Sequence, residues 1–286
     1  MHAYLKVVLG MVALAVGPLF AAESAKTGAE GPRKLLEPPK KEVASPITDR
    51  FAIRGLFLGS DISTLVRIDD SAGTPGTLFN GEDTLGFPDR KRQPNLDLMF
   101  RMGKRQRIHA DFFKLTRAGD VVLNQQVRFG DAVFQAGERV VSTMELRKLG
   151  IAWTWSALQT EKFELGIGLA LHLMQLEGDV QAPARFERER LDAAGPYPSL
   201  AVDGTWRMTR RFSLNVAGNW LGGTIQAVDG RYQSMHADVQ FRLRPNFAVG
   251  AGYSRTQFRV DSATTDFAGY LNLKYKGPEA FLRVSF

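Results

Sequence analysis

The sequence predicts an all-β protein, a closed antiparallel transmembrane β-barrel over residues 49–286. Three observations predict it. From residue 50 onward apolar and polar residues alternate with a period of two, and no stretch shows the 3.6-residue period of a helix. The polar side of the alternation carries charges beside Gly, Ala and Ser, as a narrow hydrated interior requires. Aromatic residues gather at the ends of the alternating segments, where amphipathic rings meet the two membrane–water interfaces.

Composition sets the outer bounds. The chain has 286 residues, 44% of them hydrophobic and 23% charged, which excludes wholesale disorder. The one long apolar run is at the N-terminus, so a helical membrane protein is excluded too. There is no cysteine, which removes disulfides, thiolate metal sites, cysteine nucleophiles and lipoprotein acylation. The net charge of +7 suits an anionic partner, either nucleic acid or a phosphorylated lipid surface.

The elements follow in chain order. Lys6, the apolar run Val7–Val16 and the small residues Ala21 and Ala22 describe a signal peptide over 1–22. The rival reading, a membrane anchor, needs a longer run to cross about 30 Å. Export removes nucleic acid as a partner. Residues 23–48 carry Pro32, Pro38, Pro39 and Pro46 among many charges, and are expected to be a disordered linker.

Eleven alternating segments come next, at roughly 50–68, 92–103, 106–117, 141–157, 162–177, 197–209, 211–225, 231–244, 246–260, 264–275 and 279–286. In one, Leu96, Leu98, Phe100 and Met102 alternate with Asn95, Asp97, Met99 and Arg101. In another, Phe163, Leu165, Ile167, Leu169, Leu171 and Leu173 alternate with Glu164, Gly166, Gly168, Ala170 and His172. The aromatic ends include Trp153, Trp155, Phe163, Tyr197, Trp206, Phe212, Trp220, Phe247, Tyr253, Phe267 and Tyr275. Short turns are expected at 103–105, 159–161, 209–211, 244–246 and 276–278, and longer polar loops near 70–91, 118–140, 179–196, 223–231 and 260–265. A closed barrel of this kind has an even strand number. A further strand at Thr77–Asn80 gives twelve, the preferred count; merging two segments gives ten.

The chain ends on Ala280-Phe281-Leu282-Arg283-Val284-Ser285-Phe286. Alternate apolar residues with a terminal Phe resemble the last strand of Gram-negative outer-membrane β-barrel proteins, and the loop style is similar to small uncharacterised barrels of proteobacteria. The resemblance covers the pattern of residues 50–286. It implies an outer-membrane location, a periplasmic linker, and recognition of Phe286 by the barrel assembly machinery. Lipid and lipopolysaccharide become the expected partners, and the protein is expected to be a monomer.

Polar-face residues form an expected lumen network: Asp97, Arg101, Asp111, Lys148, Glu164, His172, Asp203, Arg207, His236, Asp238, Arg242, Lys274 and Arg283. Mixed signs let buried charges pair and argue against a selective pore lined by one sign. His236 and Asp238 are two apart on one strand face, the spacing of a base and its orienting carboxylate. An enzyme resembling the lipid-trimming barrels would instead set His and Ser on the lipid-facing wall, and no His-x-Ser occurs. No catalytic, cofactor or metal residues are expected. Lys114, Arg147 and Arg255 fall on the apolar side and belong at the membrane rim, where a charge costs about 0–1 kcal/mol instead of the 2–4 of the midplane. There they are candidates for lipopolysaccharide phosphates. The functions left are a structural, lipid-contacting or loop-binding barrel, a narrow channel, and a lipid-acting enzyme. A lumen closed by salt bridges favours the first.

Overall fold

The computed structural model describes residues 45–225, 228–264 and 268–286. The expected signal peptide, residues 23–44 of the expected linker, and Phe267 lie outside the described residues. The elements are β1 (Phe51–Ile68), β2 (Phe79–Asn80), α1 (Gly81–Leu85), β3 (Arg90–Met102), β4 (Gln106–Val122), β5 (Val127–Phe129), β6 (Ala132–Phe134), β7 (Arg139–Gln159), β8 (Phe163–Ala182), β9 (Glu187–Arg207), β10 (Phe212–Ile225), β11 (Val228–Arg244), β12 (Phe247–Ala263) and β13 (Ala268–Ser285). Ten of the strands pair antiparallel in a closed ring: β1, β3, β4 and β7 to β13. β1 closes on β13 from Ala52↔Ser285 to Ile68↔Gly269. At the seam the Phe286 N–H donates to the Phe51 carbonyl at 2.9 Å, and the Phe286 carbonyl accepts from Arg50 and Phe51 at 2.7 and 3.0 Å.

Ten strands replace the twelve preferred from the sequence, for two reasons. Thr77–Asn80 contributes only the two-residue β2, which pairs with β1 at Leu65 and Val66 and adds nothing to the ring. Lys276, Gly277 and Pro278 are not a turn but the middle of β13. Gly277 fits there because its missing side chain leaves room for the neighbouring strand: a Cβ would sit 1.8 Å from the Gly59 carbonyl oxygen. Most of the expected long loops are strand as well. β4 runs on to Val122, and β8 and β9 form a hairpin whose register runs to Ala182↔Glu187.

Along the long strands such as β4, β7, β8 and β13 the alternation keeps its register but reverses its polarity. In β7, Leu149, Ile151, Trp153 and Trp155 face outward and are 40–48% exposed, while Lys148, Thr154 and Ser156 are buried inside. Above residue 148 the inward residues are Val140, Met144 and Leu146, all buried, and the outward ones are Thr143, Glu145 and Arg147. β4 reverses at Phe112 and Phe113, and β13 between Tyr275 and Glu279. The physical cause is a change of solvent. Where hydrocarbon lies outside, the apolar side chains face out and the polar ones share the lumen. Where water lies outside, the strand reads like any half-buried strand, apolar inward. A 21-residue strand such as β7 at about 3.3 Å per residue and 40° tilt climbs about 50 Å, twice the ~25 Å apolar band. About half of the barrel therefore stands beyond the hydrocarbon.

The aqueous half has its own core. Leu58, Ile62, Val66, Phe113, Leu115, Leu146, Leu176, Phe258 and Leu273 fill it from the wall. The connections β1–β3 and β4–β7 add Phe79, Leu85, Phe87, Phe129 and Phe134 as an internal plug. Asn80 caps α1 by accepting from the Glu82 and Asp83 N–H groups, and Gly86 ends it at φ 69°. Glu82 then reaches the fully buried Arg117, whose guanidinium carbon lies 4.9 Å over the Phe87 ring.

The aromatic girdle forms mainly at the end with short turns. Phe100, Trp153, Trp155, Phe163, Trp206 and Phe212 are all outward and 36–49% exposed there. Trp220 and Tyr253, 53% and 50% exposed, mark the other edge of the band. Tyr197 and Tyr275 depart from the expectation. Both point inward, where Tyr197 packs edge-on against Phe258 and Tyr275 stacks on Phe113.

Candidate functional site

The reversal concentrates polar chemistry in the lower lumen, within the apolar band. Arg101 on β3 binds Glu164 on β8 with both guanidinium nitrogens, at 2.7 and 2.8 Å. Arg107 on β4 bridges Glu164 at 3.4 Å and Asp203 on β9 at 2.7 Å. Lys148 on β7 meets Asp111 on β4 at 2.6 Å. Arg54 on β1 joins Asp97 on β3 at 2.9 Å to Asp238 on β11 at 2.7 Å, and its guanidinium carbon sits 4.6 Å over the Phe281 ring. His236 lies between Asp238 and Glu279, at 2.6 and 3.0 Å.

The base of the lumen is tied to the chain that precedes β1. Ser45, Pro46 and Ile47 are buried, at the end of the segment read as a linker. Asp49 accepts from Arg242 on β11 at 2.7 Å and from Arg283 on β13 at 3.2 Å. A buried arginine is costly without a counter-charge, so these pairs hold the pre-β1 turn against the barrel.

Of the residues expected in the lumen, Asp97, Arg101, Asp111, Lys148, Glu164, His172, Asp203, His236, Asp238, Arg242 and Arg283 face inward at this level. Arg207 keeps inward parity at the turn end and has no ion-pair partner among the described residues. Lys274, expected in the lumen, is instead exposed on the outer wall, because β13 continues through 276–278 and carries its parity upward unbroken. Arg54, Arg107, Glu279 and Asp49 complete the network and were not singled out from the sequence. Their signal was strand parity, which in β13 puts Glu279 on the same face as Arg283.

The network borders a cavity of about 290 Å³, lined by Arg54, Asp97, Lys148, His172, His236 and Glu279 among others. Arg107 Nη2, Asp203 Oδ1 and His172 Nδ1 have no protein partner, so the cavity is built for water. His236, Asp238 and Glu279 bring ligand atoms within 4.8 Å of one another. Two of them already face the Arg54 guanidinium, which is 2.7 Å from Asp238 and 3.2 Å from His236 Nε2. His172 Nε2 meets Ser199 Oγ at 3.0 Å. Both residues are at most 3% exposed, and the Tyr232 ring covers the imidazole at 4.5 Å. His172 also borders the cavity.

The rim residues lie on the outer wall just above the apolar band. Lys114 and Arg147 are direct cross-strand partners. Glu145 sits between them, 3.1 Å from Lys114 and ion-paired to Arg147, and Glu177 lies 3.5 Å from Arg147. Arg255 is exposed on β12, opposite Lys276 of β13.

No family model matches the chain, and no curated protein sequence matches it. Solved structures do. The outer membrane protease OmpT from Escherichia coli aligns with a TM-score of 0.53 at 11% identity, over 84% of this chain and 98% of that one. The Pseudomonas putida toluene transporter TodX aligns over 83% and 70% at 11% identity, with a TM-score of 0.33. Ail, the attachment invasion locus protein of Yersinia pestis, aligns over 80% and 98% at 12% identity, with a TM-score of 0.31. At such identities the likeness to OmpT concerns the fold alone. The chain has the fold of the Gram-negative outer-membrane β-barrels.

Proposed function

We propose that the protein is an outer-membrane barrel with a closed lumen, acting through its lipid-facing wall and its projecting outer end and not as a channel. In this reading the signal peptide delivers the chain to the periplasm. The end carrying the short turns, the start of β1 and the end of β13 faces the periplasm, and the end carrying the long connections faces outside. The carrying observation is the occupied interior. The outer half of the lumen is filled by one apolar cluster made of wall and plug. The inner half is crossed by ion pairs between non-adjacent strands, such as Arg54–Asp238 and Arg101–Glu164. A hydrated ion would have to pass an apolar core packed by residues as large as Phe113, Phe129 and Phe258.

The same observation separates the reading from its rivals. A channel needs continuous water, and an acyl-processing enzyme needs a reachable nucleophile. The buried His172–Ser199 pair offers neither, so the reading assigns no catalysis. The test is conductance of the refolded barrel in planar bilayers. The reading expects a silent membrane at moderate voltage, and a variant lacking both plug segments, 77–87 and 127–134, that conducts. Stepwise openings in the native protein would overturn it.

A further inference from the structure

Above the apolar band most outward charges are paired. Arg90 holds Asp61 at 3.1 Å, Arg139 holds Asp120, and Lys114 and Arg147 share Glu145. One group differs. Arg255 on β12 faces outward directly opposite Lys276 on β13, and Lys274 stands two residues higher on the same face of β13. All three are exposed, and none has a carboxylate partner among the described residues. Asp61 lies across from Lys276 in the register, but Arg90 engages it. Cross-strand neighbours stand about 5 Å apart at Cα and diagonal ones about 7–8 Å, so the three cationic heads can meet on one anion.

Their height bears on what that anion is. Directly below Arg255 the outward residue of β12 is Tyr253, 50% exposed, and directly below Lys276 comes Pro278, followed by Ala280 and Leu282. The cations are therefore the first polar row above the hydrocarbon-facing wall. A free anion in water gains only the cations from that position. An amphiphile lying along the wall gains twice, with chains on Tyr253, Pro278 and Leu282 and its phosphate on the cations, through charge-assisted hydrogen bonds.

We propose that Arg255, Lys274 and Lys276 form a binding site for the phosphate of an outer-leaflet lipid, the phosphorylated glycolipid of lipopolysaccharide. The site rests on the reading of the protein as an outer-membrane barrel, and it moves the lipid contact from the neutralised Lys114–Arg147 pair to β12 and β13. Each cation near an anionic surface is worth about 1 kcal/mol at low salt, roughly fivefold in affinity, so the three together give on the order of a hundredfold.

The experiment measures binding of lipid A to the refolded barrel in neutral detergent, at low and high salt. The probes are bisphosphoryl lipid A, dephosphorylated lipid A and inorganic phosphate. The triple variant R255Q/K274Q/K276Q should bind the bisphosphorylated lipid tens to a hundredfold more weakly at low salt, with a smaller difference at high salt. K114Q/R147Q should bind like the native protein. Dephosphorylated lipid and inorganic phosphate should bind weakly to all three. Unchanged affinity in the folded triple variant, or an equal loss in K114Q/R147Q, would overturn the site. Equal binding of inorganic phosphate would overturn the lipid as its ligand. A spin label at Leu282 reports separately on the barrel reading. Contact with lipid-dissolved oxygen there, together with unchanged lipid A affinity, would sink the site and leave the barrel standing.

Discussion

Replacing Glu164 with Leu should be among the most damaging single changes in the lumen. The carboxylate has no solvent exposure. It accepts from Arg101 at 2.7 and 2.8 Å and from Ser156 Oγ at 2.5 Å, with Arg107 at 3.4 Å. Arg107 retains Asp203 at 2.7 Å. Arg101 retains only backbone carbonyls, those of Asp49 and Lys104 at 3.2 and 3.3 Å, and its side chain is 4% exposed. Stripping one partner from a buried pair costs about 3–5 kcal/mol, mostly from the charge left behind. For a chain of this size 1 kcal/mol moves the melting midpoint by about 2–4 °C, so E164L should melt on the order of 10 °C lower. Removing both charges should recover much of the loss, because a buried pair is often replaceable by apolar side chains of similar volume. The assay is heat-modifiable migration of the refolded barrel on gels, run as a double-mutant cycle of R101M, E164L and both. A single-variant shift below about 2 °C, or a double variant that melts lower than E164L, would refute the reasoning.

Spin labels at Leu171 and Val239 should be accessible to lipid-dissolved oxygen, and a label at Lys274 to an aqueous relaxant; the reverse at any of the three would misplace that strand's face. Deleting Phe286 removes the carbonyl that accepts from Arg50 and Phe51 at 2.7 and 3.0 Å and the terminal aromatic of the closing strand. Periplasmic precursor should then accumulate, whereas native abundance of heat-modifiable barrel would count against both roles. At the outer end Arg185 binds Glu138 at 2.5 and 2.7 Å, and this pairing holds the Glu138 carboxyl below its usual range. The clasp is therefore fully present above the ordinary glutamate pKa and is lost as pH falls through the lowered one. Trypsin at neutral pH should cut after Arg185 faster in E138Q than in the native chain; equal rates would show that the clasp does not restrain the hairpin.

Fold class was legible in the chain because the lipid-facing half obeys one rule on every strand. Phe163 to Leu173 and Leu96 to Met102 keep nearly all their large apolar residues on one side, Met99 excepted, and the structure turns those sides outward. Strand number was not legible, for a reason visible in β13. Its alternation changes polarity near Lys276, where hydrocarbon gives way to water outside. Lys274 and Lys276 are outward like Leu282, yet they look like lumen residues when matched by polarity. With Gly277 and Pro278 at that point, the reversal reads as a turn between two strands. Pro278 is tolerated inside the strand even though it lacks an N–H. Partners in the lumen were hidden differently. Arg54–Asp238 and Asp49–Arg242 join residues 184 and 193 positions apart, and only closure of the ring brings them together. The plug was least legible, since the short β2, α1, β5 and β6 offer too few residues for any period to register.

One uninterrupted strand, β7, faces lipid outward along its lower half and carries a sealed apolar core along its upper half. The chain has no cysteine, so single cysteines placed along β7 test it most directly, using a membrane-impermeant maleimide on intact cells. The account predicts rapid labelling at positions 143, 145 and 147, which face water. It predicts protection at 149, 151 and 153, which face lipid, and equal protection at 144 and 146, which lie inside the packed outer lumen. Labelling at 144 and 146 as fast as at 143 and 145 would mean an open, hydrated lumen and would contradict the account.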